Sequence, residues 1–114
     1  MGGKTYLNVM KLQDITYFIT MKRILKMRWN PAPPVRSYLA SNRVSIGKID
    51  CVIGLALDPS GKISELFVIR ASGVPGYDQE AMQTIRDSSP FASPPPQFIK
   101  EGQLRMSWTF TVYL

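Results

Sequence analysis

The side chains that usually carry catalysis are sparse in this 114-residue chain. There is no His, which removes His-activated nucleophiles, His metal ligands and His proton relays together. Cys51 is the only cysteine, so it forms no internal disulfide and falls short of the several ligands a zinc site needs. Its place in an alternating apolar run reads as a small buried hydrophobe. A hydrolytic carboxylate pair would have to come from Asp50, Asp58, Glu65, Asp78, Glu80, Asp87 and Glu101. Asp58 is accounted for by a turn and Asp78 by a helix start, and the others fall at positions predicted to be exposed. Ser60, Ser72, Ser88 and Ser89 have no base to activate them, and Lys48 and Lys62 flank turn or strand ends without a burying context. The opening "MGGKT" imitates the end of a phosphate-binding loop but lacks the earlier Gly and the preceding strand. Gly73 and Gly76 are too few for a phosphate cradle and read as backbone freedom where a strand becomes a helix. The expectation is a protein that is not an enzyme and uses no cofactor and no metal.

What remains is surface and backbone, and the hydropathy pattern shows which elements present them. Asp14 is a suitable N-cap, and Phe18, Met21, Leu25 and Trp29 follow at spacings of 3, 4 and 4, with Ile24 beside them. This predicts an amphipathic helix over 14–29, with Lys22, Arg23, Lys26 and Arg28 largely off the apolar stripe. "NPAPP" (30–34) stops it, and residues 35–45 read as a polar connection. Ile49, Cys51, Ile53, Leu55 and Leu57 then alternate with smaller residues, the mark of a strand with one buried face. "DPSG" (58–61) is a turn in which Pro59 presets its own φ and Gly61 takes positive φ. A second strand follows at 63–69, antiparallel to the first. "ASGVPG" breaks it, and Asp78 is read as the cap of a short helix with Ala81, Met82 and Ile85 on its apolar face and Tyr77 and Met82 as a staple. That helix ends near Ser89, and "SPFASPPPQF" is too proline-rich for anything but an extended connector. The last segment alternates most cleanly. Leu104, Met106, Trp108, Phe110, Val112 and Leu114 share one face, and Arg105, Ser107, Thr109, Thr111 and Tyr113 share the other.

The expected fold is α+β: two helices packed on one face of a three-stranded sheet, in the order helix-strand-strand-helix-strand, with spatial strand order 2-1-3. The last strand becomes a sheet edge. Residues 1–13 are read as a flexible N-terminal extension and 14–114 as one domain. No apolar run approaches a membrane span and no signal peptide opens the chain, which reads as an excised soluble domain. The net charge of +6 is uneven: residues 1–50 carry nine Lys/Arg against two Asp/Glu, residues 51–114 five against six. The basic excess sits on the first helix and reads as a solvated face, so no nucleic-acid partner is expected. Trp29 and Trp108 lie on apolar stripes and read as core. Tyr113, with Thr111, Thr109, Ser107 and Arg105, forms a polar outer face open to recognition.

In order along the chain, "MKRILKMRWNPAPP", "GKIDCVIGLALDPSGKISELFVIRASG", "YDQEAMQTIRDSSPF" and "LRMSWTFTVYL" resemble the C-terminal domain of the TonB family, over roughly residues 17–114. The resemblance implies a periplasmic docking module of an inner-membrane-anchored bacterial energy transducer. The missing N-terminal regions of such a transducer couple to an inner-membrane motor complex. The module itself takes an N-terminal peptide of an outer-membrane transporter as an added strand. Carried onto this chain, the pairing edge is Arg105, Ser107, Thr109, Thr111 and Tyr113. Pro90 and Phe91 resemble the family's Tyr-Pro neighbourhood before that strand, in the order Pro-Phe. The related TolA C-terminal domain shares the fold, binds envelope-integrity proteins and is exploited by bacteriocins or phage. Such domains often carry a disulfide pair, so the lone Cys51 favours the TonB-like branch. An exposed edge also permits a strand-exchanged dimer. The residues alone point the same way: without catalytic groups, an open and wettable edge strand suits strand addition, in which the backbone supplies affinity.

Overall fold

The computed structural model describes residues 12–41 and 47–114. Helix α1 spans Leu12–Arg28 and α2 spans Ala32–Ser41; strand β1 spans Lys48–Leu57 and β2 Ile63–Arg70; α3 spans Tyr77–Ser88; and β3 spans Leu104–Tyr113. The three strands form one antiparallel sheet in the order β2-β1-β3, as the patterning predicts. Residues 1–11 of the expected extension lie outside the described residues, and Leu12 and Gln13 already belong to α1.

The middle strand carries the core. Ile49, Cys51, Ile53, Leu55 and Leu57 are all buried, beneath Met21 and Leu25 of α1 and Ala81 and Ile85 of α3. Burying each aliphatic side chain of that row contributes about 1.5–3 kcal/mol. The hairpin that joins β1 to β2 closes as expected. Gly61 has φ 92°, and its N–H donates to the Asp58 carbonyl at 2.9 Å. The Asp58 carboxylate accepts from the Ser60 hydroxyl at 2.6 Å and from the Ser60 and Lys62 N–H groups at 2.9 and 3.0 Å. Those donors, the Ser60 hydroxyl first, hold its carboxyl below the usual range.

Three local expectations are corrected. The prolines that stop α1 also start α2, so the expected polar connection is helical up to Ser41; residues 42–46 lie outside the described residues. Pro33 and Pro34 fall in the first turn of α2, where backbone N–H groups have no intrahelical acceptor to lose. Asp14 is not a cap but a buried residue of the first turn of α1, accepting from the Gln97 side-chain amide. Asp78 does not cap α3 either: Gly76, at φ 82°, holds the cap position without a side-chain bond. The Asp78 carboxylate reaches back to the Ser72 N–H at 3.1 and 3.2 Å, tying the end of β2 to the helix.

Candidate docking edge

Among the described residues, β3 is fixed from one side only. It pairs with β1 over ten consecutive residues, from Lys48↔Tyr113 to Leu57↔Leu104, without a shift in register. The ladder continues one step further, where the Leu114 N–H donates to the Gly47 carbonyl at 2.9 Å. In an antiparallel pair the bonded and non-bonded positions alternate. Even-numbered residues of β3 therefore turn their N–H and C=O groups inward to β1. Arg105, Ser107, Thr109, Thr111 and Tyr113 turn theirs outward, and no other backbone bond among the described residues uses them. Beneath the pair, the buried Tyr77 hydroxyl lies 2.8 Å from the Phe110 carbonyl and 3.1 Å from the Ile49 carbonyl, so it can donate to either strand. Burial pushes its phenol far above the ordinary range, which keeps it a neutral donor.

The side chains follow the same parity. Arg105, Ser107, Thr109 and Tyr113 are exposed, Tyr113 at 79%, and Thr111 is half-buried. Arg105 lies 3.7 Å from Glu101, an exposed ion pair worth little. Phe91 is elsewhere engaged. Its side chain is buried in the core and its N–H donates to the Gly61 carbonyl at 2.9 Å, so it supports the hairpin and offers no surface. Pro90, the residue before it, is exposed.

The opposite edge is built differently. β2 pairs with β1 through two register shifts, one between Val52 and Ile53 and one between Ala56 and Leu57. Its exposed side chains include Phe67, Val68 and Ile69 together with Glu65 and Arg70. The Phe67 ring lies across Gly54 on the outer sheet face, where a Cβ would collide with it.

This α+β order, with its open last strand, coincides with a family match: the model for the TonB C terminal covers residues 16–111. The chain belongs to the TonB C-terminal family. Among curated proteins and among solved structures, none matches. The family is one of periplasmic, non-enzymatic docking modules of envelope energy transducers that bind outer-membrane proteins. No helix among the described residues is long and apolar enough to cross a membrane.

Beside its open edge, this TonB C-terminal domain has a groove of about 350 Å³ between α1 and β3. Leu25, Trp29, Trp108 and Phe110 supply its apolar walls, and Lys22 and Lys26 also line it. Trp29 stacks edge-on against Phe110 and Tyr77, with ring centroids 5.2 and 5.9 Å apart. Both tryptophans pack against the core as expected, yet both are only half-buried. The indole N–H of each is shielded from solvent and has no acceptor among the described residues. The sequence reading treats Lys22 and Lys26 as a solvated face and misses the groove. One signal was available: on a helix, Lys22 sits one turn before Leu25 and Lys26 one turn before Trp29.

Proposed function

We propose that this domain docks an outer-membrane transporter by accepting an extended N-terminal peptide of that transporter as a fourth strand along β3. The observation that carries the reading is the unbroken ladder between β1 and β3, which leaves five outward backbone positions in one straight row. Arg105, Ser107, Thr109, Thr111 and Tyr113 supply the pairing groups, and their Ser/Thr-rich outer face lacks the lysines that usually blunt an edge. Ordering a flexible peptide offsets much of the gain, so affinity is modest, about micromolar. The domain then works in the periplasm at the far end of an inner-membrane-anchored transducer, transmitting the work of a motor complex to the transporter.

The test is an NMR titration with transporter N-terminal peptides. Amide shifts are expected along residues 104–114, and they should vanish in Thr109→Pro while that variant stays folded, because the N–H it removes points outward. Shifts confined to the exposed surface of α1 or to the 58–61 turn contradict the reading.

A further inference from the structure

We propose that the outward face of α1 is a membrane-docking patch, which settles the domain on a bilayer containing anionic phospholipid with the sheet turned away.

α1 buries one side and exposes the other. Met21 and Leu25 belong to the core, and Asp14, the only acid between residues 12 and 41, is buried and held by the Gln97 side-chain amide. Away from that side, Ile15, Ile19, Arg23 and Met27 recur every four residues and form one exposed line along the helix. Met27 is 80% exposed and Ile19 49%, so both present much of their apolar surface to solvent. Lys22 and Lys26 lie beside that line. Together with Ile19, Arg23 and Met27 they border one surface depression to which no other element contributes.

The patch is therefore apolar and cationic at once. Lys22, Arg23 and Lys26 take part in no ion pair among the described residues. Single apolar side chains are ordinary on a surface, but here they are interleaved with unpaired cations on one helix face, the pattern of an interfacial helix. An anionic bilayer answers both kinds of group. Headgroup phosphates take the charges, and the boundary between headgroups and acyl chains receives Ile19 and Met27. The aliphatic stems of the lysines and Arg23 lie along that boundary and keep their charges at the phosphates.

Other occupants answer only part of this. A soluble polyanion would leave Ile19 and Met27 in water. A second copy docking through the same face would set cations against cations. A protein partner would meet a ridge formed by one helix, with no second wall to enclose either apolar side chain. Because the patch points away from the sheet, the outward backbone groups of β3 stay free while the domain lies on a bilayer.

The experiment is co-sedimentation of the whole chain with phosphatidylcholine vesicles, with and without about one-third phosphatidylglycerol. Three cations at the surface predict about a hundredfold tighter binding to the anionic vesicles, weakening as salt is raised. Arg23→Gln with Lys26→Gln should lower that binding about twentyfold. Lys62→Gln with Lys100→Gln removes the same charge outside the patch, at two exposed residues, and should change it less than about threefold. Ile19→Gln with Met27→Gln keeps every charge and should still weaken binding about tenfold. All six positions are exposed, and a thermal melt of each variant checks that the fold is kept. Absence of binding to anionic vesicles overturns the proposal. Equal losses from the two charge pairs overturn it too, since the net charge of the chain would then be the cause. Binding that ignores Ile19→Gln with Met27→Gln, or that polyglutamate matches at equal charge, assigns the patch to a soluble or protein polyanion and overturns the bilayer.

Discussion

β3 runs beside β1 through ten pairs without a shift, whereas β2 shifts register twice along the same strand. The two edges therefore differ as templates. An added strand needs consecutive outward N–H and C=O groups in one line, and a bulge breaks that line and twists the strand away. β2 has the more apolar exposed side chains, Phe67, Val68 and Ile69, and so would be the greater aggregation hazard if it were straight. Its bulges, with Glu65 and Arg70, blunt it. β3 carries no such device, and its outward parity coincides with a Ser/Thr/Tyr face. Edge geometry, more than edge hydrophobicity, decides where a partner strand can pair.

The largest effect should come from breaking the hairpin that holds β2. Gly61 has positive φ, and a Cβ there would also collide with the Phe91 carbonyl oxygen. Gly61→Val should cost about 3 kcal/mol or more in a denaturant melt. A loss below about 1 kcal/mol would remove the close approach from the account.

On the other edge, the parity of β3 can be read by proline. The Val112 N–H faces the Ile49 carbonyl in the ladder, so Val112→Pro should destabilise by about 3 kcal/mol. Thr109→Pro removes an outward donor and should cost about 1 kcal/mol or less in the same melt. Equal losses would mean that the inward and outward assignments are wrong.

Tyr77→Phe sharpens the comparison from below, since its buried hydroxyl reaches carbonyls of both β1 and β3 and none of β2 among the described residues. The expected cost is about 1 kcal/mol, and amide exchange should quicken along β3 more than along β2. An equal change on both edges would make the hydroxyl a general core contact.

The mildest probe is alkali. Burial, reinforced by the negative charge of Asp78, pushes the Cys51 thiol from 9.0 up to about 12, and burial pushes the Tyr17 phenol from 10.0 up to about 12. Both are neutral acids whose folded values are raised, so their contribution is fully present below the unfolded values. It is lost as pH rises from about 9 toward 12. Stability should fall across that window, and Cys51 should resist thiol reagents at neutral pH until the chain unfolds. Fast labelling of the folded protein would contradict its burial.

Alternation made the strands legible. Ile49 to Leu57 and Leu104 to Val112 each repeat with period two, and the "DPSG" turn pairs the first strand with the second; with the last strand taken to pair with the first, the expected order is 2-1-3, as found. Helix α2 was hidden because proline is read as a breaker, and at Pro33 and Pro34 it stands where a helix begins. Tyr77 looked like half of a staple because its hydrogen bonds are to carbonyls 28 and 33 residues away, which no local pattern records. Phe91 looked like surface beside Pro90 because a proline-rich connector gives no period from which to judge burial. The spacing of Lys22 and Lys26 against Leu25 and Trp29 hints at one wall of the groove, but the other wall, with Trp108, joins it only through the packing of α1 against the sheet.

Hydrogen exchange along β3, with and without a transporter N-terminal peptide, tests strand addition at this edge most directly. In the free domain, the amides of Met106, Trp108, Phe110 and Val112 should be protected and those of Ser107, Thr109 and Thr111 should exchange quickly, because only the first set bonds to β1. Saturating peptide should slow Ser107, Thr109 and Thr111 and leave residues 64–69 of β2 as they were. Protection appearing on β2 instead, or Ser107, Thr109 and Thr111 already slow in the free domain, would contradict docking by strand addition at β3.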